Sequence, residues 1–156
     1  MLICWRLVHS AYLADAFSGE GARLAGGRWN SEGFAVIYTA ESLSLSLLEI
    51  IVHLEFKETL NLYKAIPIRV PEKKIEAIDT AALPPDWNSP LPHPATLLSG
   101  NNWLRNQSSP ALRVPSAIVP IESNILLNPV HPDFQSLEIG EPVDLPVDPR
   151  VLDKLK

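Results

Sequence analysis

The sequence has a single cysteine, Cys4, among its 156 residues, which excludes an internal disulfide and a thiolate metal cluster. Long hydrophobic runs are also missing, since none approaches the roughly 18 residues that a membrane-spanning helix requires. Residues 1–8 are too short, and carry Arg6 too early, for a secretory signal peptide. These absences predict a protein that works in a reducing compartment, the cytoplasm, without a membrane.

Charge of either sign is modest, because 13 basic and 18 acidic residues give a formal net charge of −5. A chain without an overall positive field does not attract nucleic acid non-specifically, so we expect no direct nucleic-acid contact. Local arginines can still hold a small anion. Histidines number only four and occur in unrelated contexts, with no HExxH motif among them. We therefore predict no metal site.

The remaining composition is that of an ordinary globular domain, with 46% hydrophobic and 20% charged residues. A chain of this length can bury roughly 70% of its unfolded surface, which is enough for a core without disulfides. Helical and strand-like segments do not alternate regularly, so a doubly wound parallel sheet is not expected. The sequence instead predicts an α+β fold of about five or six strands, two main helices and long loops, arranged as a single domain over residues 1–156.

One stretch, residues 26–53, carries most of the candidate chemistry. It begins as a glycine turn that includes Arg28, continues as a short apolar strand that ends at Tyr38, and finishes as a helix that includes Glu49. Four of the seven glycines of the chain lie between positions 19 and 27, where the backbone must turn tightly or approach another group closely. With arginines nearby, this loop suits an anion, although it lacks a GxGxxG motif.

Residues 41–56 could form a strand or a helix, because serine and leucine alternate between positions 42 and 47. Projected at about 100° per residue, the polar residues form one narrow stripe, which predicts a helix. Thr39 is the expected N-cap, with Glu41 in the first turn. The stripe consists of Ser42, Ser46, Glu49 and His53, and the apolar residues are Leu45, Leu48, Ile51, Val52 and Phe56. Glu49 is therefore expected at the rim of a cleft or partly buried beside a partner, either as a structural salt bridge, as a pair with His53, or as a functional carboxylate.

Two further residues have a structural and a functional interpretation. Arg6 lies in the apolar strand predicted at residues 2–8, and it is either a solvent-exposed residue of an edge strand or an arginine that lines a pocket. Ser116 could act as a nucleophile, but it lacks the GxSxG motif and an evident Ser-His-Asp set. Pro115 implies an edge or a bulge that re-aims the serine side chain. On pattern alone, Tyr38 is a core residue.

The rest of the chain gives weaker signals. Residues 60–70 are predicted to form a strand or a pair of strands, and Pro67 places this segment on the edge of the sheet. The proline-dense segment 71–94 has no hydrophobic periodicity and is predicted to be a loop, either functional or mobile. The other predicted elements are a helix at 95–107 that follows Pro94 as a start signal and that Gly100 weakens, a strand at 111–119, a strand and a turn at 122–134, and a last helical turn in the tail.

Four segments of the chain, in this order, closely resemble the RES-domain family: GGRWNSEG, VIYTAESLSLSLLEIIVH, LRVPSAIVP and NILLNPVHPDF. The resemblance extends over nearly the whole chain, from WRL at position 5 to HPDF at 131–134. The family is named for an arginine, a glutamate and a serine. The resemblance places these at Arg28, Glu49 and Ser116, with Tyr38 as a further pocket residue.

The resemblance implies a fold similar to NAD-dependent ADP-ribosyltransferases, with mixed or antiparallel sheets and flanking helices. It also implies the toxin of a bacterial type II toxin–antitoxin pair, whose usual partner is a helix-turn-helix, Xre-like antitoxin that covers the active site. NAD would then be the substrate, with no cofactor, and the toxin would deplete it by hydrolysis or phosphorolysis. The alternatives are an ADP-ribosyltransferase that modifies a host protein and an inactive module that only binds the antitoxin. Either a homodimer or a hetero-oligomer with the antitoxin fits this reading.

The resemblance and the chemistry of NAD together suggest three catalytic residues. Glu49 would stabilise the positive charge that grows on the ribose during bond cleavage. Ser116 would hydrogen-bond the ribose or position Glu49. Arg28 would bind the diphosphate, since a guanidinium binds oxyanions in a bidentate manner.

Three more residues would bind the substrate without taking part in bond cleavage. Tyr38 would stack on the nicotinamide ring, and Gly27 would let the backbone approach the substrate closely. Arg6 would be a further contact for an anionic group.

Overall fold

The computed structural model describes residues 1–54 and 57–155, and a mixed β-sheet forms the centre of this part of the chain. Eight strands build the sheet there: β1 (Leu2–His9), β2 (Ile37–Ala40), β3 (Tyr63–Val70), β4 (Ile75–Ala77), β5 (Ala111–Pro115), β6 (Ser123–Leu127), β7 (Glu138–Ile139) and β8 (Val143–Asp144). The order is β4-β5-β6-β2-β1-β3-β7, and β8 also pairs with β3. The β4–β5 pair is parallel, whereas the other pairs are antiparallel.

Four α-helices flank the sheet in the described residues: α1 (Glu20–Ala25), α2 (Leu43–His53), α3 (Pro94–Asn106) and α4 (Pro149–Asp153). None of them is long and apolar enough to cross a membrane. Helices and strands alternate only as far as β3, and the strand pairs are mostly antiparallel, so the predicted α+β class is confirmed. The terminal helical turn predicted in the tail corresponds to α4.

Both faces of the sheet are buried, as the alternation along β6 shows. Ile125 and Leu127 point into one apolar cluster and Leu126 points into the other. The first cluster also contains Cys4, Ile37, Ile68, Val70, Ala111 and Leu137. The second contains Trp29, Val36, Trp103, Leu104, Leu112 and Val114. The second cluster joins α3 to the Trp29 turn and therefore supports the start of the central stretch.

The strand predicted at the edge of the sheet, and the strand of Arg6 for which an edge position was one alternative, both occupy interior positions. β1 lies between β2 and β3, so Arg6 is not an edge residue. Pro67 of β3 pairs with Trp5 of β1 on one side, while β7 and β8 lie on the other. The prediction of an edge strand at 60–70 is therefore wrong. Proline is tolerated here because Pro67 lies between the residues of β3 that pair with β7 and those that pair with β8, where no backbone N–H of β3 is required. Its carbonyl accepts the Gly140 N–H at 2.8 Å.

The proline-dense segment 71–94 is more ordered than its pattern predicts. It contains β4 and two short 3₁₀ helices, Glu72–Lys74 and Thr80–Ala82. β4 has no periodicity of its own because it is only three residues long, and its parallel pairing with β5 defines it. The structure corrects the loop prediction at this point.

Helix α3 begins at Pro94, one residue before the predicted start, and the Nδ1 atom of His93 caps it by accepting the Ala95 N–H at 2.9 Å. The close packing of α3 against Trp29 requires a glycine at position 100, which the sequence alone did not show. A Cβ atom at this position would lie 1.6 Å from the Trp29 carbonyl oxygen. Any side chain would therefore separate α3 from the turn that carries Arg28.

Helix α2 is confirmed, but its start differs from the prediction. It begins at Leu43 with Ser42 as N-cap, whose Oγ accepts the Leu45 N–H at 3.0 Å. Thr39 belongs to β2 instead, and its hydroxyl donates to the Ile125 carbonyl. Glu41 lies before the helix and accepts the Ser123 N–H. Phe56, the last residue of the predicted apolar set, lies outside the described residues.

Candidate functional site

A cavity of about 830 Å³ opens beside α2, the glycine turn at 26–29 and strands β1 and β2. Its volume is within the range of about 300–1,000 Å³ that is usual for small-molecule sites. The structure brings five of the six predicted site residues to its wall: Arg6, Gly27, Arg28, Tyr38 and Glu49. Ser116, the sixth, is fully buried behind Glu49.

The middle of the polar stripe of α2, at Ser46 and Glu49, faces the protein interior, and part of the apolar surface faces outwards. Ser46 is buried and donates a hydrogen bond to the Trp5 carbonyl at 3.0 Å, which holds the helix on β1. By contrast, Leu48 and Val52 are 42% and 60% exposed. This inversion of the usual amphipathic pattern directs Glu49 towards the cavity, partly buried beside partners, as one of the sequence interpretations predicts.

One oxygen of the Glu49 carboxylate is fixed and the other is free. Oε1 accepts hydrogen bonds from Ser116 Oγ at 2.8 Å and from Asn124 Nδ2 at 2.7 Å. Oε2 has no hydrogen-bond partner among the described residues, although Glu49 borders the cavity. Hydrogen bonds to a charged group are stronger than neutral ones, so the two donors define the orientation of the carboxylate.

Ser116 is held in place by its own loop. Its Oγ accepts the backbone N–H groups of Ile118 and Val119, both at 3.1 Å. Because these two bonds occupy the lone pairs, the hydroxyl proton points to Glu49. No histidine contacts the serine in the described residues, so the geometry of an activated nucleophile is not present.

Asn124 is the site residue that the sequence interpretation missed. It lies in β6, opposite Val114 of β5 and Ala40 of β2. The available signal was an amide at the start of the apolar strand SNILL, which is an unusual place for an unpaired polar group. Its Nδ2 reaches Glu49, whereas its Oδ1 is buried without a hydrogen-bond partner in the described part of the chain.

Arg28 holds the proline-dense loop over the cavity. Its Nη1 donates to the Trp87 carbonyl at 3.0 Å and its Nη2 to the Ser89 carbonyl at 2.8 Å. The same loop contributes Asn88 and Pro90 to the cavity wall. Burial lowers the pKa of the Arg28 guanidinium, and the nearby negative charge of Glu49 partly offsets this effect.

Tyr38 and Gly27 form one packed unit at the start of the cavity wall. The Tyr38 hydroxyl accepts the Trp29 N–H at 3.1 Å and donates to Asn30 Oδ1 at 2.6 Å. A Cβ atom at Gly27 would lie 2.6 Å from that hydroxyl. The close approach predicted at Gly27 is therefore made to Tyr38. Burial raises the pKa of Tyr38 far above its ordinary value, so the hydroxyl stays neutral.

Arg6 lines the cavity, in agreement with the pocket interpretation. Its Nε donates to the Ala16 carbonyl at 3.0 Å and its Nη1 to the Tyr38 carbonyl at 3.1 Å. Burial lowers the pKa of this guanidinium. The side chain is therefore a largely buried cation held by two backbone carbonyls.

His53 ends α2 at the mouth of the cavity and is exposed. It makes no hydrogen bond to Glu49, so the pairing suggested by the spacing of four residues does not form. Within residues 1–54 and 57–155, no group of three or more histidine, cysteine, aspartate and glutamate side chains is placed to hold a metal ion.

Comparison with known proteins identifies the family. The model of the RES domain matches residues 3–148. A protein named Toxin Res from Photorhabdus laumondii subsp. laumondii is 40% identical over 152 residues, which covers 97% of each chain. A protein named Prs ADP-ribosylating toxin from Sphingobium sp. is 37% identical over 156 residues, which covers 96% of each chain.

The fold also matches that of a solved structure. A chain of the M. tuberculosis MbcT–MbcA toxin–antitoxin complex superposes with a TM-score of 0.77 over 98% of this chain and 87% of that one. Its sequence identity is 23%, so this match supports the fold. The family model and the two toxin sequences together show that the chain belongs to the RES domain family.

Proposed function

We propose that the protein is a toxin that cleaves the bond between nicotinamide and ribose in NAD, which is its substrate. The observation that carries this proposal is the arrangement of Glu49. One carboxylate oxygen is fixed by Ser116 and Asn124, and the other is free beside a cavity that also contains two arginines. The curated relatives, which are named as toxins, support the same class of function.

A single carboxylate is sufficient for this bond. Ordinary glycosidases need two carboxylates because the leaving alcohol must be protonated. In NAD the nicotinamide is a cation, and it takes the electron pair of the broken C–N bond and leaves as a neutral base. The positive charge then spreads over C1 and the ring oxygen of the ribose. Glu49 Oε2 would stabilise this charge in a partly dry cavity, while Ser116 and Asn124 hold the carboxylate in position.

The remaining wall of the cavity suits the other parts of the dinucleotide. Arg28 and Arg6 would contact the diphosphate, since guanidinium groups bind phosphate oxygens through several hydrogen bonds. The ring of Tyr38 would pack on the nicotinamide, because its hydroxyl is already used by Trp29 and Asn30. Gly27 keeps the turn close to Tyr38 and so sets the position of Arg28.

The group that attacks the ribose defines the reaction. Water gives hydrolysis and phosphate gives phosphorolysis. A protein side chain gives ADP-ribosyl transfer, the second candidate, which is favoured by the name of the Sphingobium relative. All three acceptors would attack the same ribosyl cation, so the same residues serve each reaction.

The proposed partner is an antitoxin of the helix-turn-helix, Xre-like class that covers the cavity in the cytoplasm. The solved structure that this fold matches is a toxin–antitoxin complex, which supports an antitoxin as the partner. Apolar side chains near the cavity are available for such a contact, since Val52 is 60% exposed and Leu91 is 79% exposed. An antitoxin that covers them would also exclude NAD.

The test is nicotinamide release from NAD by the purified protein, with the products identified by mass spectrometry. Free ADP-ribose in phosphate-free buffer indicates hydrolysis, and a phosphorylated ADP-ribose formed only with phosphate indicates phosphorolysis. Labelled protein in a lysate incubated with tagged NAD indicates transfer. Absence of nicotinamide release in all three conditions would refute the proposal and favour an inactive antitoxin-binding module.

A further inference from the structure

The inward face of α3 contains polar and small residues at positions where a core helix usually has apolar ones. Thr96, Gly100 and Asn101 are three of the five buried residues of this helix. Their residue types have lower helix propensity than leucine or alanine, so local preference does not account for them. Buried polar side chains are almost always hydrogen-bonded, and the partners of this face lie in one segment, the turn that carries Arg28.

Arg28 lies at the tip of this turn, between Gly27 and Asn30. These two residues pair across the turn, since the Gly27 N–H donates to the Asn30 carbonyl at 2.9 Å. The Arg28 carbonyl takes no part in that pairing and accepts the Thr96 hydroxyl at 2.7 Å. The same hydroxyl lies 2.9 Å from the His93 carbonyl, so the contact with Arg28 is the shorter one. The first turn of α3 therefore holds the peptide group that follows Arg28.

The second turn of α3 holds the residues that come after Arg28. Gly100 leaves room for the Trp29 carbonyl, because a Cβ atom there would lie 1.6 Å from that oxygen. Asn101 binds Ser31 twice, since its Oδ1 accepts the Ser31 N–H at 2.9 Å and its Nδ2 donates to the Ser31 hydroxyl at 2.8 Å. The helix therefore contacts the backbone of the turn at Arg28, Trp29 and Ser31.

The influence of α3 on the cavity passes through this turn. No residue of α3 lines the cavity in the described part of the chain, whereas Arg28 does, and Arg28 is the only charged residue between positions 26 and 31. The guanidinium is several bonds away from the peptide groups that α3 holds, so a small rotation of the turn moves it by a larger distance. A misplacement of about 1 Å in a binding group is enough to reduce the activity of an enzyme.

We infer that Thr96 and Asn101 are positioning residues for Arg28, and that α3 directs its guanidinium into the cavity. The inference rests on the proposed function, in which that guanidinium contacts the diphosphate of the substrate. Loss of a positioning contact should weaken substrate binding, so KM for NAD should rise. The value of kcat should stay unchanged, because the contacts of Glu49 with Ser116 and Asn124 do not involve α3.

Thr96→Val tests the first contact by steady-state nicotinamide release, since valine has nearly the same shape and lacks the hydroxyl. We expect KM for NAD to rise about threefold to tenfold at constant kcat, the range for the loss of one hydrogen bond. Thr96→Ser keeps the hydroxyl and should keep the wild-type KM. The matched control is Ser99→Ala, because the Ser99 hydroxyl donates to the Ala95 carbonyl within the same helix at 3.0 Å. It should also keep the wild-type KM.

Asn101→Ala is the second variant, and it tests the inference where Thr96→Val does not fold. It removes both contacts with Ser31, and Asn102→Ala, which removes an exposed amide from the next position, is its control. Asn101→Ala should raise KM in the same way, and Asn102→Ala should not. A wild-type KM in the folded Thr96→Val and Asn101→Ala variants would overturn the inference, as would an equal rise in KM in the controls.

Amide hydrogen exchange in residues 83–92 gives a readout that does not depend on turnover. Arg28 holds this segment through the carbonyls of Trp87 and Ser89, so a displaced Arg28 should speed its exchange in Asn101→Ala and not in Asn102→Ala. If exchange is faster but the wild type releases no nicotinamide under any condition, the positioning role stands and the proposed function fails. If exchange is unchanged and no nicotinamide is released, both fail.

Discussion

Asn124→Ala tests whether this amide positions Glu49. The substitution removes the 2.7 Å hydrogen bond from Nδ2 to Glu49 Oε1 and leaves Ser116 as the only donor to that oxygen. A hydrogen bond to a charged group is worth about 1.5–3 kcal/mol. If that energy is fully used to hold the carboxylate for the transition state, kcat for nicotinamide release falls about tenfold to a hundredfold. KM for NAD should change little, because the Asn124 Nδ2 atom is bound to Glu49 and its Oδ1 atom is buried, so neither is placed to bind the substrate.

The stability of the Asn124→Ala variant should stay close to that of the wild type. The lost hydrogen bond is offset because the buried and unpaired Oδ1 atom is removed as well, which recovers about 1–3 kcal/mol of desolvation cost. The net change in the free energy of unfolding should therefore lie within about 1 kcal/mol. Ser116→Ala provides the contrast, since it leaves the N–H groups of Ile118 and Val119 without their acceptor. It should lower both stability and kcat.

The assay combines steady-state nicotinamide release with urea unfolding of both variants. The matched control is Asn102→Ala, which removes an exposed amide from α3, outside the cavity wall. A kcat within twofold of the wild type for Asn124→Ala would refute the positioning role. A large loss of stability without a change in kcat would show that Asn124 serves the fold only.

Three further predictions concern the turn, the loop and the core. Gly27→Ala should lower the free energy of unfolding by about 1–3 kcal/mol, because its Cβ would lie 2.6 Å from the Tyr38 hydroxyl. Gly21→Ala is the control and should not lower it, because a Cβ there has nothing within 4 Å. Equal melting temperatures of the two variants would contradict this prediction. Arg28→Gln should speed amide hydrogen exchange in residues 83–92, because the hydrogen bonds of Arg28 to the carbonyls of Trp87 and Ser89 are lost. Arg69→Gln, the control at an exposed arginine of β3, should leave this exchange unchanged. Unchanged exchange in Arg28→Gln would show that Arg28 does not hold this loop. Burial raises the pKa of the Cys4 thiol from 9.0 to about 11, so its stabilising contribution is complete below pH 9 and is lost as the pH rises towards 11. Cys4→Ala should reduce this alkaline loss by about 2 kcal/mol in urea titrations, and an identical loss in both proteins would exclude the thiol as its cause.

Sequence patterns predicted the helices whose formation depends on residues close together in the chain. Helix α2 followed from the spacing of its polar residues, and α3 from Pro94 as its start signal. The sequence did not show which face of α2 is turned towards the protein interior. A polar stripe usually faces solvent, and only the contact of Ser46 with the Trp5 carbonyl, 41 residues earlier, shows that the middle of this stripe faces inwards.

The contacts that define the site are long-range and could not be derived from spacing. Arg28 binds the carbonyl of Trp87, 59 residues away, and Glu49 binds Asn124, 75 residues away. The residues of the site at Arg28, Glu49 and Ser116 were located by resemblance to a family, whereas Asn124 was not. β4 was missed because its three residues are defined by pairing with a strand that comes later in the chain.

Glu49→Gln, studied by NAD binding and nicotinamide release on the same protein preparation, tests the central claim most directly. The carbonyl oxygen of glutamine can still accept from Ser116 and Asn124, so only the free oxygen Oε2 is replaced by an amide. The account predicts that NAD binding is kept and that nicotinamide release falls by about a hundredfold to a thousandfold. Release at a near-normal rate from this variant would contradict the assignment of Glu49 as the residue that stabilises the ribosyl cation.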